Sequence, residues 1–371
     1  MHNPPHTVMQ QALDLARQAL FLSNPNPRVG CVLVSAQGQL IGQGFTQQAG
    51  GPHAEIMALR DAAARGHDVK GATAYVTLEP CSHTGRTGPC CHALIDAGIG
   101  KVVGAIMDPN PQVAGQGFAK LQAAGVEVVL DAEAGIASRE LNIGFFSRMI
   151  RGTPWVRMKA AASVDGVTAL HNGQSQWITG LQARADGHAW RARACAILTG
   201  IGTVLQDNPQ LNVREVPTQR QPKVVVVDSH LDMPLDAHVL KAPSGCTIYT
   251  SSTDQAKTEA LQALGATVVV MPDARGKVDL AAMLRDLGAR GTNELHVEAG
   301  FKLNGSLLRE GLVDELLLYM APKLLGTAGM GIANVGPLDA LSQATPLQWQ
   351  DILRVGDDLR IVARIAGRDQ F

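Results

Sequence analysis

The sequence predicts two successive α/β domains, and three observations carry that prediction. Helical and extended patterns alternate along the chain, as they do when helices layer onto a largely parallel sheet. Arg151-Gly152-Thr153-Pro154 interrupts the alternation, and Pro154 cannot continue the helix before it. The chain has 371 residues, a length that suits two or three domains. Domains are therefore expected over residues 1–150 and 154–371.

In the first half, Val8, Met9, Ala12, Leu15, Ala16 and Ala19 recur at helical spacing. Residues 29–35 form an apolar strand, and 40–46 return as its hairpin partner. Residues 54–65 read as a helix with Gly66 just past its end. A buried strand at 72–78, a helix at 90–97 stopped by Gly98, and a strand at 101–107 follow. A helix at 115–124, a strand at 126–130 and a helix at 134–149 complete a three-layer α/β domain. After the break, strands are expected at 155–162, 194–199, 223–228, 247–250, 267–271 and 294–298. Helices are expected at 180–193, 280–287 and 304–310, and strands at 315–321 and 359–365. No repeat relates the halves.

Composition narrows the function. Hydrophobic residues make up 46% and charged residues 18%, which supports a sizeable core and excludes a disordered chain. Apolar runs such as 316–321 are far too short to span a membrane. The N-terminal residues lack the apolar stretch of a secretory signal, so a cytoplasmic protein without a membrane partner is expected. Lys and Arg number 32 against 33 Asp and Glu, a net charge of -1. That balance lacks the basic excess of a protein held by nucleic-acid phosphates, and no nucleic-acid partner is expected. Six cysteines without a signal do not read as a disulfide framework, so any that cluster point to metal or catalysis.

One cluster stands out. His53 and Glu55 open a helix, Cys81 follows a strand, and Cys90 opens the next helix. One imidazole and two thiolates make a neutral set for Zn²⁺, with a fourth position open for water. Glu55, two residues from His53, can face that water and pass its proton to a leaving amine. His-x-Glu, then Pro80-Cys81, then a second Cys is the zinc-deaminase signature. A fourth ligand from Cys91, His83 or His92 would instead close the site into a structural one. Eight residues separate the two cysteines, where nucleoside and nucleic-acid deaminases usually have two. The insert places His83 and Arg86 beside the metal, where they can meet a polar or phosphorylated substrate.

The second half is harder to read alone. Glycines at 200 and 202 follow a strand but lack the third glycine of a dinucleotide fingerprint, so a Rossmann dehydrogenase is disfavoured. The Gly300–Ser306 stretch reads as a turn whose backbone N–H groups can bind a phosphate, with the helix opening at Asn304-Gly305-Ser306. Asp207-Asn208-Pro209, taken alone, reads as a turn.

Glu79-Pro80-Cys81-Ser82-His83 through Pro89-Cys90 resembles the bacterial riboflavin-biosynthesis pyrimidine deaminase. Asn26-Pro27-Arg28-Val29-Gly30 and Asp108-Pro109-Asn110-Pro111 match its first strand and its substrate loop, although Gly88 stands where the family usually has Pro. Lys159, Ser163-Val164-Asp165-Gly166, Ser175 to Thr179, Asp207-Asn208-Pro209 and Val297 to Gly300 resemble the reductase fused to that deaminase. The resemblance covers essentially the whole chain in the same order. It implies a cytidine-deaminase-like three-layer domain followed by a dihydrofolate-reductase-like α/β domain.

The same resemblance implies one Zn²⁺ per chain, NADPH, and a phosphoribosylated pyrimidine that is deaminated and then reduced from ribosyl to ribityl. Zinc ligands would be His53, Cys81 and Cys90, with Glu55 catalytic and Asn26, His83, Arg86 and Asn110 on the deaminase substrate. Ser175, Arg191, Leu211, Arg214 and Glu298 would bind the reductase substrate. Ala161, Trp177, Thr203, Asp207, Ser229 and the stretch Gly300, Phe301, Lys302, Leu303, Asn304, Gly305 and Ser306 would bind NADPH. A homo-oligomer is expected. The competing readings are a nucleoside or RNA deaminase with a C-terminal binding module, and a zinc-stabilised binding protein.

Overall fold

A computed structural model describes residues 7–82, 88–111 and 113–371. By its contacts the chain divides into two compact units, Met1–Arg151 and Gly152–Phe371.

The first unit is built on five strands: β1 (Gly30–Val34), β2 (Leu40–Phe45), β3 (Thr73–Val76), β4 (Lys101–Gly104) and β5 (Glu127–Leu130). Their order is β2-β1-β3-β4-β5. β1 runs antiparallel to β2 and β3, while β3, β4 and β5 are parallel. Parallel neighbours need crossovers, and α3 (Cys90–Asp96) and α4 (Gln116–Ala123) supply them. α1 (Val8–Gln18) starts where the Thr7 hydroxyl accepts the Gln10 N–H, and it buries Met9, Ala12, Leu13 and Ala16 on one face. α2 (Ala54–Ala64) packs on β2 and carries His53 at its N-cap.

The helix expected at 134–149 is two helices, α5 (Ala132–Leu141) and α6 (Ile143–Arg151). Asn142 separates them. Its side chain accepts the Arg28 N–H at 2.8 Å and donates to the carbonyls of Arg28 at 2.9 Å and Ser138 at 3.2 Å. A contact 114 residues away breaks the helix, so local periodicity could not reveal it.

The second unit contains β6 (Trp155–Ser163), β7 (Val167–Ala169), α7 (Leu181–Arg193), β8 (Ala196–Gly200), α8 (Ile201–Asp207), β9 (Lys223–Val227) and β10 (Cys246–Thr250). There follow α9 (Gln255–Ala263), β11 (Thr267–Val270), α10 (Leu280–Ala289), β12 (Glu294–Val297), α11 (Phe301–Arg309) and β13 (Glu315–Ala321). β14 (Met330–Gly331), β15 (Leu347–Val355) and β16 (Asp358–Ile365) close the chain. Nine strands form one sheet in the order β11-β10-β9-β8-β12-β6-β13-β16-β15, parallel up to β13 and antiparallel beyond it. Leu198, Val225, Leu295 and Val297 on the central strands are buried. Strands covered on both faces read as continuous apolar runs, which is why the sequence revealed them.

A buried charge network ties the middle of this sheet. Arg157 on β6 reaches Glu294 on β12 at 2.9 Å and Glu315 on β13 at 2.5 Å. Arg193 shares the same Glu294 oxygen at 2.7 Å, and Arg364 takes the second Glu315 oxygen at 3.2 Å. Paired in this way, the buried charges fix the register of three neighbouring strands, whereas removal of one partner would strand the other in a dry core.

Several expectations need correction. α8 and α9 were not expected. Asp207-Asn208-Pro209 is not a free turn, since Asp207 ends α8 and Asn208 closes it in the left-handed region at φ 39°. α9 buries only Leu261, so its apolar stripe is too thin to show periodicity. β15 was missed because nearly every residue in it is exposed, which leaves no alternation. α11 begins at Phe301 with Gly300 as N-cap, so Asn304, Gly305 and Ser306 lie inside a helix rather than opening one.

Candidate functional site

In the first unit, two helix starts and one strand-end loop meet. His53 caps α2, Cys90 opens α3, and Cys81 lies in the loop after β3. His53 Nδ1 is 3.6 Å from Cys81 Sγ and 3.4 Å from Cys90 Sγ. All three ligand atoms lie within 4.8 Å of one another. The Cys90 N–H points to Cys81 Sγ at 3.3 Å, a contact that favours thiolate. The Cys90 thiol and His53 pull Cys81 down to about 4, while its hydrogen bond to Cys81 and burial push Cys90 up. Two thiolates and one neutral imidazole balance a dication, and this soft S/N set fits Zn²⁺. Among the described residues no fourth ligand joins the group, so Cys91 and His92 stand outside it. His83 and Arg86 lie outside the described residues.

Glu55 is the second residue of α2 and only 3% exposed. Burial, then the Cys81 charge, raises its carboxyl to about 7. A carboxyl near neutrality both takes and gives a proton readily. Beside the ligand group opens a cleft of about 410 Å³, which Asn26, His53, Glu55, Cys81, Asp108 and Asn110 line. Phe145 and Arg148 from α6 also face it, and periodicity alone had marked them only as helix residues.

The loop that carries Asn110 is held by Glu79, whose place in the Glu79–Cys81 motif does not reveal this role. Its buried carboxylate accepts N–H bonds from Asp108 at 3.1 Å, Gly115 at 2.9 Å, Gly117 at 2.8 Å and Phe118 at 3.3 Å. α4 also presses directly on the ligand loop, because a Cβ at Gly117 would lie 2.0 Å from the Pro80 carbonyl oxygen. Only glycine permits that approach.

The second unit has two adjoining cavities. One, of about 310 Å³, is lined by Ala161, Ser175, Trp177, Thr203, Asp207, Gly300, Phe301 and Asn304. The other, of about 410 Å³, is lined by Arg184, His188, Arg191 and Arg214. Lys159, Trp177 and Glu298 border both. Glu298 sits just past β12, where Arg191 grips it with Nε at 2.5 Å and Nη2 at 2.8 Å, and Lys159 Nζ stands 4.0 Å away. Burial alone would raise Glu298, but the Arg191 and Lys159 charges hold it well below the usual carboxylate range. Trp177 is 63% exposed at the cavity mouth, with the Arg184 guanidinium 4.4 Å above its ring.

Not every expected residue reaches these cavities. Lys302, Leu303, Gly305, Ser306, Ser229 and Leu211 line neither. The Ser229 hydroxyl accepts the Val278 N–H, and the Leu211 side chain is buried in a core cluster. Asn304 lines the smaller cavity but donates its amide to the carbonyls of Ala299 and Ile332. The Asn304 N–H already bonds Gly300, so the free N–H groups of α11 are those of its first turn. Such a helix start, beside a cavity that Gly300 and Phe301 line, fits the pyrophosphate of a dinucleotide. His188, Arg184 and Tyr319 were missed as cavity residues, since nothing in their local sequence distinguishes them from ordinary helix and strand positions.

Comparison with known proteins agrees with this geometry. Residues 3–106 match the cytidine and deoxycytidylate deaminase zinc-binding region, and residues 154–360 match the RibD C-terminal domain. The riboflavin biosynthesis protein RibD of Escherichia coli strain K12 is 44% identical over 368 residues, 95% of this chain and 96% of that protein. The structure of Acinetobacter baumannii RibD (form 1) superposes with a TM-score of 0.86 at 40% identity, covering 96% of this chain and 97% of that one. A Thermotoga maritima protein, described as a diaminohydroxyphosphoribosylaminopyrimidine deaminase/5-amino-6-(5-phosphoribosylamino)uracil reductase, gives 0.85 at 31% identity, covering 97% and 98%.

Proposed function

The chain belongs to the RibD family of bifunctional riboflavin-biosynthesis deaminase–reductases, and from that premise we propose which residues carry each step. It is a zinc-dependent deaminase and an NADPH-dependent reductase with a cytidine-deaminase-like fold ahead of a RibD-type reductase fold. Residues 1–150 deaminate and residues 154–371 reduce. The substrate is 2,5-diamino-6-(5-phosphoribosylamino)pyrimidin-4-one, and the product is 5-amino-6-(5-phosphoribitylamino)uracil. The substrate is free rather than part of a nucleic acid.

In the deaminase cleft, His53, Cys81 and Cys90 would hold Zn²⁺, which when bound would supply a water acidic enough to attack near neutral pH. Glu55 accepts the proton of the attacking water and returns it to the exocyclic amine that leaves as ammonia. Asn26 and Asn110 orient the pyrimidine, with His83 and Arg86 contributing from the intervening loop. In the reductase, NADPH supplies a hydride. Ala161, Trp177, Thr203, Asp207 and the start of α11 hold the cofactor, with Ser229 and the stretch 302–306 as more distant supports.

Lys159 and Glu298 sit where the cavities meet and orient the sugar. Arg191 fixes Glu298 through its bidentate contact. Ser175, the Leu211 backbone and Arg214 bind the remainder of the substrate. Copies of the chain associate through the exposed β15, where Trp349, Ile352 and Leu353 are 63%, 52% and 46% exposed. No helix among the described residues is long and apolar enough to cross a membrane, and the enzyme works in the cytoplasm.

The observation that carries this reading is the His53–Cys81–Cys90 group with buried Glu55 beside it and no fourth ligand among the described residues. Metal analysis tests it. One zinc per chain is expected, lost in Cys81→Ser and Cys90→Ser but kept in Cys91→Ser. Loss of zinc in Cys91→Ser would make Cys91 a fourth ligand and the site a closed structural one, against this reading.

A further inference from the structure

The larger cavity of the second unit holds a histidine that has no role in the scheme above. His188 lies on α7, one turn before Arg191, and is 5% exposed. Its ring lines the cavity with Lys159, Arg184, Arg191 and Arg214. Its Nδ1 accepts the backbone N–H of Arg214 at 3.3 Å. A ring nitrogen that accepts carries no proton, so the neutral ring holds its proton on Nε2. Among the described residues that Nδ1 contact is the one hydrogen bond of the ring, so Nε2 has no partner. Burial, then the Arg191 and Arg214 charges, push the ring down to about 4, so it stays neutral at neutral pH.

The surrounding donors are unequally engaged. Arg191 gives two hydrogen bonds to Glu298 and one to the Asn212 carbonyl. The exposed Arg214 gives one to the Asn212 side chain, and its Nε stands 3.7 Å from the equally exposed Glu215 carboxylate, a weak surface pair that a phosphate can displace. A phosphate monoester has three terminal oxygens, and a single guanidinium fork covers two of them. A neutral N–H fixed beside that fork supplies direction to the third without adding another positive charge to an already cationic wall.

We propose that His188 determines specificity in the reduction, its Nε2–H donating to the phosphate monoester of the substrate beside Arg214. The Arg214 backbone fixes the ring, so the residue that binds the phosphate by its side chain also orients its neighbour by its main chain. The inference rests on the reading that this cavity takes the phosphorylated sugar.

The test compares reduction of the deaminated substrate with and without its phosphate, in the zinc-loaded full chain at saturating NADPH. Two variants separate the ring nitrogens. His188→Asn keeps an acceptor near the Nδ1 position and loses the distal donor. His188→Gln places an amide donor near the Nε2 position. The kcat/KM preference for the phosphorylated compound should fall about tenfold in His188→Asn and stay within about threefold of wild type in His188→Gln. A purely structural histidine predicts the reverse order. A wild-type preference in His188→Asn, or an equal loss in both variants, overturns the proposal. Arg214→Ala separates the underlying reading. It should also lose the preference, and if it keeps it, the cavity does not hold the phosphate at all.

Discussion

Glu55 carries the sharpest prediction at the residue scale. It belongs to no ligand set, so Glu55→Gln should keep its zinc while ammonia release falls by about 10²–10⁴-fold. Metal content and ammonia release, measured on the same sample, check both halves. Glu298 gives a prediction in pH. Its folded pKa is depressed by Arg191 and Lys159, so the stability it contributes is present above the ordinary carboxylate pKa of about 4.3. That contribution is lost as pH falls towards the lower folded value. The stability difference between wild type and Glu298→Gln should therefore be level above pH about 5 and shrink on acidification, as denaturant melts at a series of pH values would show. A gap that widened below pH 5 would contradict the Arg191–Glu298 pairing. At this scale the zinc ligands were legible because each sits at a helix start or strand end that the sequence marks with Pro80, Pro89 or an apolar run. His188 was not, because its significance comes from a backbone N–H 26 residues away.

Elements position these residues, and Gly117 tests that directly. A Cβ there would meet the Pro80 carbonyl oxygen at 2.0 Å, so Gly117→Ala must displace α4 or the Cys81 loop. Weaker zinc retention and a lower melting temperature are expected, whereas Gly88→Ala, which meets open space, should behave as wild type. At the sheet edge, Trp349→Asp combined with Ile352→Asp should reduce the sedimenting mass to that of one chain. An unchanged mass would remove β15 from the assembly surface. Central strands were legible as continuous apolar runs because both faces are covered. β15 and α9 were not, since one is exposed almost throughout and the other buries a single leucine. The break between α5 and α6 and the early start of α11 depend on Asn142 and Gly300, whose effects come from long-range hydrogen bonding and capping rather than from apolar spacing.

On the scale of the whole molecule, one chain holds two chemically separate centres, one needing zinc and the other NADPH. Each unit has its own sheet and core. A fragment beginning at Gly152 is therefore expected to fold and to reduce deaminated substrate without zinc. Sequence alone suggested the two-part order through the Arg151–Pro154 break, yet the meeting of the two reductase cavities at Lys159 and Glu298 required the sheet to bring β6 beside β12. The most direct measurement follows ammonia release and NADPH oxidation together, on one phosphoribosylated pyrimidine, in wild type and Glu55→Gln. Wild type should release ammonia and then oxidise one NADPH per ammonia. Glu55→Gln should do neither with the amino substrate, but should oxidise NADPH at the wild-type rate when given the deaminated compound. NADPH oxidation by Glu55→Gln on the amino substrate, or its failure on the deaminated one, would contradict two separate centres acting in sequence.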